Sequence, residues 1–296
     1  MKKKIVAGGG IAVVLIGAGA AYWQMVGQYR ESTDNAYLQA DIATVSPRLP
    51  GYIEDVFVSD NEMVEQGQIV AQIQLPVYAA RADLAAADVA HAQATLAQAV
   101  LDLRRAKSLL ASTAGTRQRY DEAVAEEKSA RAGLKAAQAR HELAKIDVYS
   151  TDIRAPLAGV IGARTVQPGQ YVKPGNRLMA VVPLQDVYVL ANFKETQLEH
   201  IVPGQSAKIS VDSFDGEEIS GVVDSLAPAS GAEFSLLPPD NATGNFTKIV
   251  QRIPVKILID SDTLLVGRLR PGMSVEVTVN TKSRKQGGKA VVTSGR

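Results

Sequence analysis

Cysteine is absent from the 296-residue chain. Disulfides, thiolate zinc sites, cysteine nucleophiles and a lipidated amino-terminal cysteine are therefore excluded. Aromatic residues are scarce at 5%, and the three histidines (His91, His141, His200) lie far apart. A His-rich metal site has little to draw on. Charge of one sign is lacking too: 32 Lys and Arg stand against 31 Asp and Glu, for a net charge of +1. No basic footprint for nucleic acid follows from that balance. GxSxG, P-loop, HExxH and Rossmann fingerprints do not occur, and Gly8-Gly9-Gly10 falls inside an apolar run rather than after a strand. With 46% hydrophobic residues the chain is nonetheless an ordinary folding sequence, long enough for one large domain or two to three small ones.

The one long uncharged run, Ile5 to Val26, follows Lys2, Lys3 and Lys4. As a helix it measures about 33 Å at ~1.5 Å per residue, enough for a bilayer core of ~30 Å. Tyr22 and Trp23 stand at its far end, where amphipathic rings suit the interface, and the lysines favour the cytoplasmic side. A retained anchor is the expectation. A cleaved signal peptide is the rival, with Ala18-Gly19-Ala20 as its small-residue site. Either way the bulk of the chain is exported.

Residues 51–73 repeat in 159–181 at a constant offset of 108. Gly51-Tyr52-Ile53 matches Gly159-Val160-Ile161, Val58 matches Val166, Val64 matches Val172, Gly67 matches Gly175, and Val70 matches Leu178. Val/Ile runs with glycine punctuation predict short strands and turns, with Gly51, Gly67, Gly159 and Gly175 as structural turn residues. Each copy is too small to bury a core alone, so the two are expected to make one β-sandwich.

Between the copies, residues 76–148 hold 22 alanines, and their apolar positions recur at helical spacing. One seam runs Tyr78, Ala82, Ala85, Val89, Ala92, Leu96, Ala99, Leu103, Ala106, Leu110. After a break at Ser112 to Thr116 a second runs Tyr120, Ala123, Glu127, Ala130, Leu134, Ala137, His141, Ala144, Val148. Two heptad seams around a Gly-containing break predict an antiparallel helical hairpin, each arm roughly 50 Å long. Glu127 and His141 interrupt the second seam and are expected to reach solvent or fix register. His141 could meet His91 across the hairpin, but two imidazoles lack a third ligand.

From Val187 onward strands are expected at 187–193, 207–211, 219–223, 253–259 and 274–279, with a short helical piece at 195–201 and a hairpin turn at Asp215-Gly216. Strands this short suggest a small barrel. Residues 226–248 form a long loop containing Pro238-Pro239, and 283–296 are expected to be a disordered tail. Asn241-Ala242-Thr243 and Asn245-Phe246-Thr247 fit the glycosylation sequon, whose use presumes a eukaryotic secretory pathway.

The order of anchor, split repeat, inserted hairpin and barrel resembles the periplasmic adaptor, or membrane fusion protein, family, and most of all its HlyD/EmrA branch. The resemblance covers residues 1–282. Ala191-Asn192-Phe193-Lys194-Glu195-Thr196-Gln197-Leu198 is similar to the start of the adaptor barrel. Ser235 to Lys248, continuing through Val250-Gln251-Arg252-Ile253-Pro254-Val255, is similar to the long loop of EmrA-type adaptors. The resemblance implies an α+β multidomain fold. Its parts would be a cytoplasmic stub (1–4), a transmembrane helix (5–26), a linker with the first barrel strand (27–43), and a split lipoyl-like β-sandwich (44–75 and 151–184). An antiparallel coiled-coil hairpin (76–150), a small β-barrel (185–282) and the tail (283–296) complete it.

What the resemblance implies for function is a non-enzymatic, cofactor-free subunit of a tripartite efflux pump. It would sit in the inner membrane of a Gram-negative bacterium with its bulk periplasmic, as a trimer or hexamer. One partner would be an inner-membrane transporter of proton-driven major-facilitator type, bound through the anchor and the barrel-loop residues Pro238, Pro239, Asn241, Thr243, Gly244, Asn245 and Phe246. The other would be a TolC-like outer-membrane channel. The family's tip motif fits Arg105, Leu109 and Thr116. Arg105 would bond carbonyls or carboxylates of the channel, Leu109 would fill a small pocket, and Thr116 would bond at the tip. The plainer reading of Arg104, Arg105 and Lys107 is a set of cations near a helix C-terminus. An adaptor of an aromatic-acid exporter is the alternative within the family, and a stand-alone envelope-binding rod is the alternative outside it. A lipoyl or biotinyl carrier role lacks its modifiable lysine, because the hairpin occupies that place and Lys145 falls in the helical pattern.

Overall fold

The structure, a computed structural model, describes residues 29–112, 114–214, 217–233, 250–260, 265 and 267–282. The sequence-expected anchor (5–26), the Asp215-Gly216 turn, the barrel-loop residues Pro238 to Phe246 and the tail (283–296) lie outside them. Among the described residues no helix is long and apolar enough to cross a membrane. The chain divides into two compact units, 42–182 and the remainder.

In the first unit the repeat becomes an intertwined sandwich. Copy one supplies β2 (Ala43–Val45), β3 (Gly51–Val56), β4 (Met63–Val64) and β5 (Ile69–Ile73). Copy two supplies β6 (Asp152–Arg154), β7 (Gly159–Gly162), β8 (Tyr171–Val172) and β9 (Met179–Val182). The sheets run β2-β9-β7-β4 and β6-β5-β3-β8, so each mixes strands of both copies. The offset of 108 relates even individual bonds. Ile53 N–H donates to the Gln170 carbonyl and Ile161 N–H to the Glu62 carbonyl, both at 2.9 Å. Ala43 joins this unit through β2 rather than ending a barrel strand. Ile53, Val64, Val70, Ile73, Ile161, Val172, Leu178 and Met179 fill the core. Neither copy can be satisfied alone, because β3 finds its second neighbour in β8 and β4 its partner in β7.

Two of the four expected turn glycines are turn residues. Gly67 and Gly175 take φ +84° and +89°, where a side chain would be strained. Gly51 and Gly159 instead open strands β3 and β7. They are glycine because the neighbouring strand is too close for a Cβ: one on Gly159 would lie 2.5 Å from the Val182 carbonyl oxygen.

Between the copies stand α1 (Pro76–Ala111) and α2 (Arg117–Ser150). Pro76 fits the first turn of α1, where its missing N–H costs nothing. Tyr78 is buried and fastens the helix base to the sandwich, its hydroxyl donating to the Pro50 carbonyl at 2.5 Å. Every residue of both heptad seams is buried or half-buried, while their flanks face solvent. Alanine at Ala99, Ala106, Ala123, Ala130 and Ala137 keeps the seam thin where burial is deepest. Of the two roles expected of Glu127, reaching solvent does not hold. Its side chain is 11% exposed and its carboxylate accepts from Arg131 Nε at 2.9 Å, one turn on. A buried carboxylate in an apolar seam is tolerated through its partner rather than favoured. Glu127→Leu should therefore raise hairpin stability by about 1 kcal/mol, while Arg131→Ala should lower it by about 1–3 kcal/mol. Urea unfolding of the full chain checks the pair of signs, and a destabilised Glu127→Leu would contradict them.

In the second unit β1 (Arg30–Gln39), β10 (Tyr188–Lys194), β11 (Ser206–Val211), β12 (Glu218–Leu226), β13 (Arg252–Ile259) and β14 (Ser274–Asn280) form a closed antiparallel barrel, ordered β1-β10-β13-β12-β11-β14. Closure leaves no sheet edge. Strands alternate inward and outward, and Leu38, Val189, Phe193, Ile209, Ile257 and Val277 fill the interior at 0% exposure. The segment similar to the adaptor barrel's start acts here. Phe193 packs inside, a 3-10 turn follows at Glu195–His200, and Gln197 Nε2 donates to the Glu31 carboxylate (2.9 Å) and the Ser32 carbonyl (3.0 Å), tying β10 to β1.

Candidate docking site at the hairpin tip

Arg105 and Leu109 lie four residues apart on one face of α1, and both project into solvent: the Arg105 side chain is 63% exposed and Leu109 is 50% exposed. The helix ends two residues further on, and its last turn folds back on itself. The Leu109 carbonyl accepts from Ala114 N–H (3.1 Å), Gly115 N–H (3.0 Å) and the Ser112 hydroxyl (3.0 Å). A Cβ on Gly115 would stand 3.0 Å from the Leu109 Cβ, so glycine lets the turn close over the leucine. Thr116 then starts α2 as its N-cap, with Oγ1 accepting from Arg119 N–H at 3.3 Å. Thr116 thus already has a structural task, while its hydroxyl proton remains available for donation.

The helix-dipole reading of the cations loses force here, because α1 runs to Ala111 and no basic residue lies in its last turn. Arg104, Arg105 and Lys107 stand before that turn, where the dipole's influence has faded. Arg105 instead pairs with the carboxylate of Asp102 on the same exposed face, and Gln98 Nε2 donates to that carboxylate at 3.0 Å. The hydrogen bond from Arg105, and then that from Gln98, hold the Asp102 carboxyl below its usual 3.8. This residue escaped sequence reasoning, although the i, i+3 spacing of Asp102 and Arg105 was the available signal. For a depressed carboxylate the stabilisation is present above 3.8 and is lost as pH falls through the lower folded value. The pair should hold Arg105 unchanged from about pH 5 to 8, and an NMR titration of Asp102 should show a midpoint below 3.8. A midpoint above that value would contradict the pairing.

Elsewhere the chemistry is sparse. Tyr188 in the barrel donates to Asp41 at 3.3 Å, and burial, then the Asp41 charge, pushes its phenol up from 10.0. Lys145 is exposed and paired with Glu142 at 3.0 Å on α2. Among the described residues no group of three or more His, Asp or Glu could hold a metal ion.

Family models match both units: the CusB barrel-sandwich hybrid domain over residues 42–182 and the AAEA-like β-barrel domain over residues 186–280. The Colistin resistance protein EmrA of Acinetobacter baumannii is 34% identical across 92% of this chain and 93% of its own. The Fatty acid resistance protein FarA of Neisseria gonorrhoeae is 35% identical over 85% of this chain and 76% of its own. The membrane fusion protein Spr0693 from Streptococcus pneumoniae R6 shares the fold at 16% identity, with a TM-score of 0.64 over 86% of this chain and 99% of that one. A sandwich split by a helical hairpin and followed by a closed barrel is the architecture of membrane fusion proteins. Within that class the chain belongs to the EmrA-type periplasmic adaptors, a family of structural linkers rather than enzymes.

Proposed function

We propose that this chain is the adaptor of a tripartite efflux pump, anchored in the inner membrane by residues 5–26 with its bulk in the periplasm. It joins a proton-driven major-facilitator transporter to a TolC-like outer-membrane channel and exports drugs or other small molecules. The observation that carries the reading is the end-to-end match to a resistance protein, 92% of one chain against 93% of the other. A match over that much of both chains is longer than either unit alone, so shared fold in one domain does not account for it. Several copies surround the conduit. The barrel-loop residues Pro238, Pro239, Asn241, Thr243, Gly244, Asn245 and Phe246 meet the transporter, and Arg105, Leu109 and Thr116 meet the channel.

A tip of this composition suits such work. A thin alanine-seamed rod offers few groups for recognition, and here the Arg105 cation and the apolar Leu109 stand exposed shortly before the helix N-terminus that Thr116 caps. Energy would come from the transporter, since the family is one of structural linkers rather than enzymes. The test is recovery of partners on a tagged full-length chain from crosslinked, mildly solubilised membranes. A polytopic inner-membrane transporter and an outer-membrane channel are expected together, and the transporter's family identifies the substrate class. Recovery of neither overturns the proposal and favours the envelope-binding rod.

A further inference from the structure

The barrel brings the chain's entry and its exit together on one rim. Strand β1 starts at Arg30 and pairs antiparallel with β14, which leaves at Asn280. Just outside that pairing Thr281 N–H donates to the Tyr29 carbonyl at 2.9 Å. Gln205, 2% exposed, locks the junction. Its Nε2 donates to the His200 carbonyl (2.8 Å) and the Thr281 carbonyl (3.0 Å), and its Oε1 accepts from Val202 N–H (3.0 Å). Lys282 follows, with Nζ 5.2 Å from the centre of the Tyr29 ring. Tyr29 and Val202 expose apolar surface beside it.

Charge is unevenly spread along the chain. Lys282, Arg284, Lys285, Lys289 and Arg296 come after Glu276, and no carboxylate follows that residue. With these five and the three leading lysines set aside, 24 Lys and Arg face 31 Asp and Glu, a net of −7. The rim is not itself basic, because Arg30, Lys194 and Arg252 are offset by Glu31, Glu195 and Glu199. The positive charge therefore lies in one stretch, and the barrel fixes where that stretch begins. An anchor that stops at Val26 puts Tyr29 within about 10 Å of its end, at ~3.4 Å per residue. Lys282 stands beside Tyr29. That distance is about one Debye length at physiological salt, so the stretch starts inside the field of a charged leaflet.

We propose that the basic stretch beginning at Lys282 binds the anionic phospholipid headgroups of the leaflet from which the anchor emerges. This inference rests on the adaptor reading, in which residues 5–26 span the membrane. Lys and Arg held next to a membrane anchor are drawn to anionic headgroups, and the gain accumulates with each cation. The rival acceptor is the acidic remainder of the same chain. Its carboxylates are dispersed, and at least eight of them already hold ion pairs. A leaflet offers its phosphates as a continuous surface, close to where the stretch begins. Tyr29 and Val202 suit that boundary, an amphipathic ring and a small apolar side chain at the level of the headgroups. The contact gives the barrel a second attachment on the rim that already holds the anchor. That keeps the rim against the leaflet, while a body of net negative charge is repelled from it.

The absence of cysteine allows a single reporter in the full-length chain. Ser294→Cys carries an environment-sensitive nitrobenzoxadiazole dye, 12 residues beyond Lys282, so the anchor alone does not hold it at the surface. The labelled chain is reconstituted into vesicles of phosphatidylcholine, or of phosphatidylcholine and phosphatidylglycerol in equal parts. Dye emission should shift to the blue in the mixed vesicles only, and the shift should fade as salt is raised. Each change to Gln among Arg284, Lys285, Lys289 and Arg296 should lower the ratio of bound to free dye about 5-fold, and the fourfold variant should abolish the shift. Equal emission in both vesicles, or a shift that survives the fourfold variant, would overturn the proposal. A shift in native inner membranes but in neither vesicle would assign the stretch to a protein partner and overturn it as well. Flotation separates this inference from the reading beneath it. The unlabelled chain should float with neutral vesicles through its anchor, and failure to float overturns both. A chain that floats while its dye ignores phosphatidylglycerol overturns the lipid contact alone.

Discussion

Arg105→Asp should abolish export while the chain folds normally and still binds its transporter. The fold is insulated because Arg105 is 63% exposed, and with its one described partner, Asp102, it forms a surface ion pair, a kind of contact that adds little to stability. Docking is not insulated, since reversing a charge that meets carbonyls or carboxylates of a partner turns attraction into repulsion. We expect a loss of at least ~10-fold in resistance or transport. Asp102→Arg/Arg105→Asp is the decisive companion. It rebuilds the local pair and moves the cation by three positions, so export should stay lost. Recovery in that swap would mean that the pair, and not a contact with the channel, was what mattered. Leu109→Asp should behave like Arg105→Asp. Thr116 needs more care, because Thr116→Ala also removes the α2 cap at about 1 kcal/mol, whereas Thr116→Ser keeps both cap and hydroxyl.

Gly159→Ala should be among the most damaging single-methyl changes in the molecule, and more damaging than Gly51→Ala. Repeat symmetry makes the two glycines equivalent, yet what crowds them differs. A Cβ on Gly159 meets the Val182 carbonyl oxygen at 2.5 Å and its carbon at 2.8 Å, both backbone atoms fixed in the β7–β9 pairing. A Cβ on Gly51 meets the Ile73 Cγ2 at 2.5 Å, a core side-chain methyl rather than the hydrogen-bonded backbone of a neighbouring strand, so the clash is met by local repacking and not by breaking a strand pair. We expect about 3 kcal/mol or more at Gly159 and about 1–2 kcal/mol at Gly51. Against a typical domain stability of about 5–15 kcal/mol, the former leaves little margin for the sandwich that carries the hairpin. Equilibrium urea unfolding measures both, and a Gly159→Ala cost no greater than that of Gly51→Ala would contradict the packing account.

Much of the architecture was legible because it is written in periodicities. The heptad seams from Tyr78 to Leu110 and from Tyr120 to Val148 define the buried faces of both helices, since a 3.6-residue period fixes which side chains share a side. The constant offset of 108 exposed the duplication for a similar reason: equal turns need equal glycines, as at Gly67 and Gly175. The candidate tip residues came from the family resemblance rather than from periodicity, although the exposure of Arg105 and Leu109 follows the same period that buries Ala106.

Other features could not be read along the chain. Glu127 marks a break in a seam, but its burial depends on how closely two alanine-lined helices approach. The partnership of Asp102 with Arg105 is one choice among several cations nearby, made by side-chain geometry. Gly51 and Gly159 looked like turn residues because glycine usually is one, and only the neighbouring strand reveals the close approach.

The sequence by itself determined the elements, their faces and the order of the parts, since those follow from local periodicity and turn chemistry. Only the tertiary structure decided that β3 pairs with β8, Gly51 meeting Val172, and β7 with β4, Val160 meeting Met63, the first across 121 residues and the second across 97. A strand's pattern specifies that one face must be buried and leaves open which partner buries it.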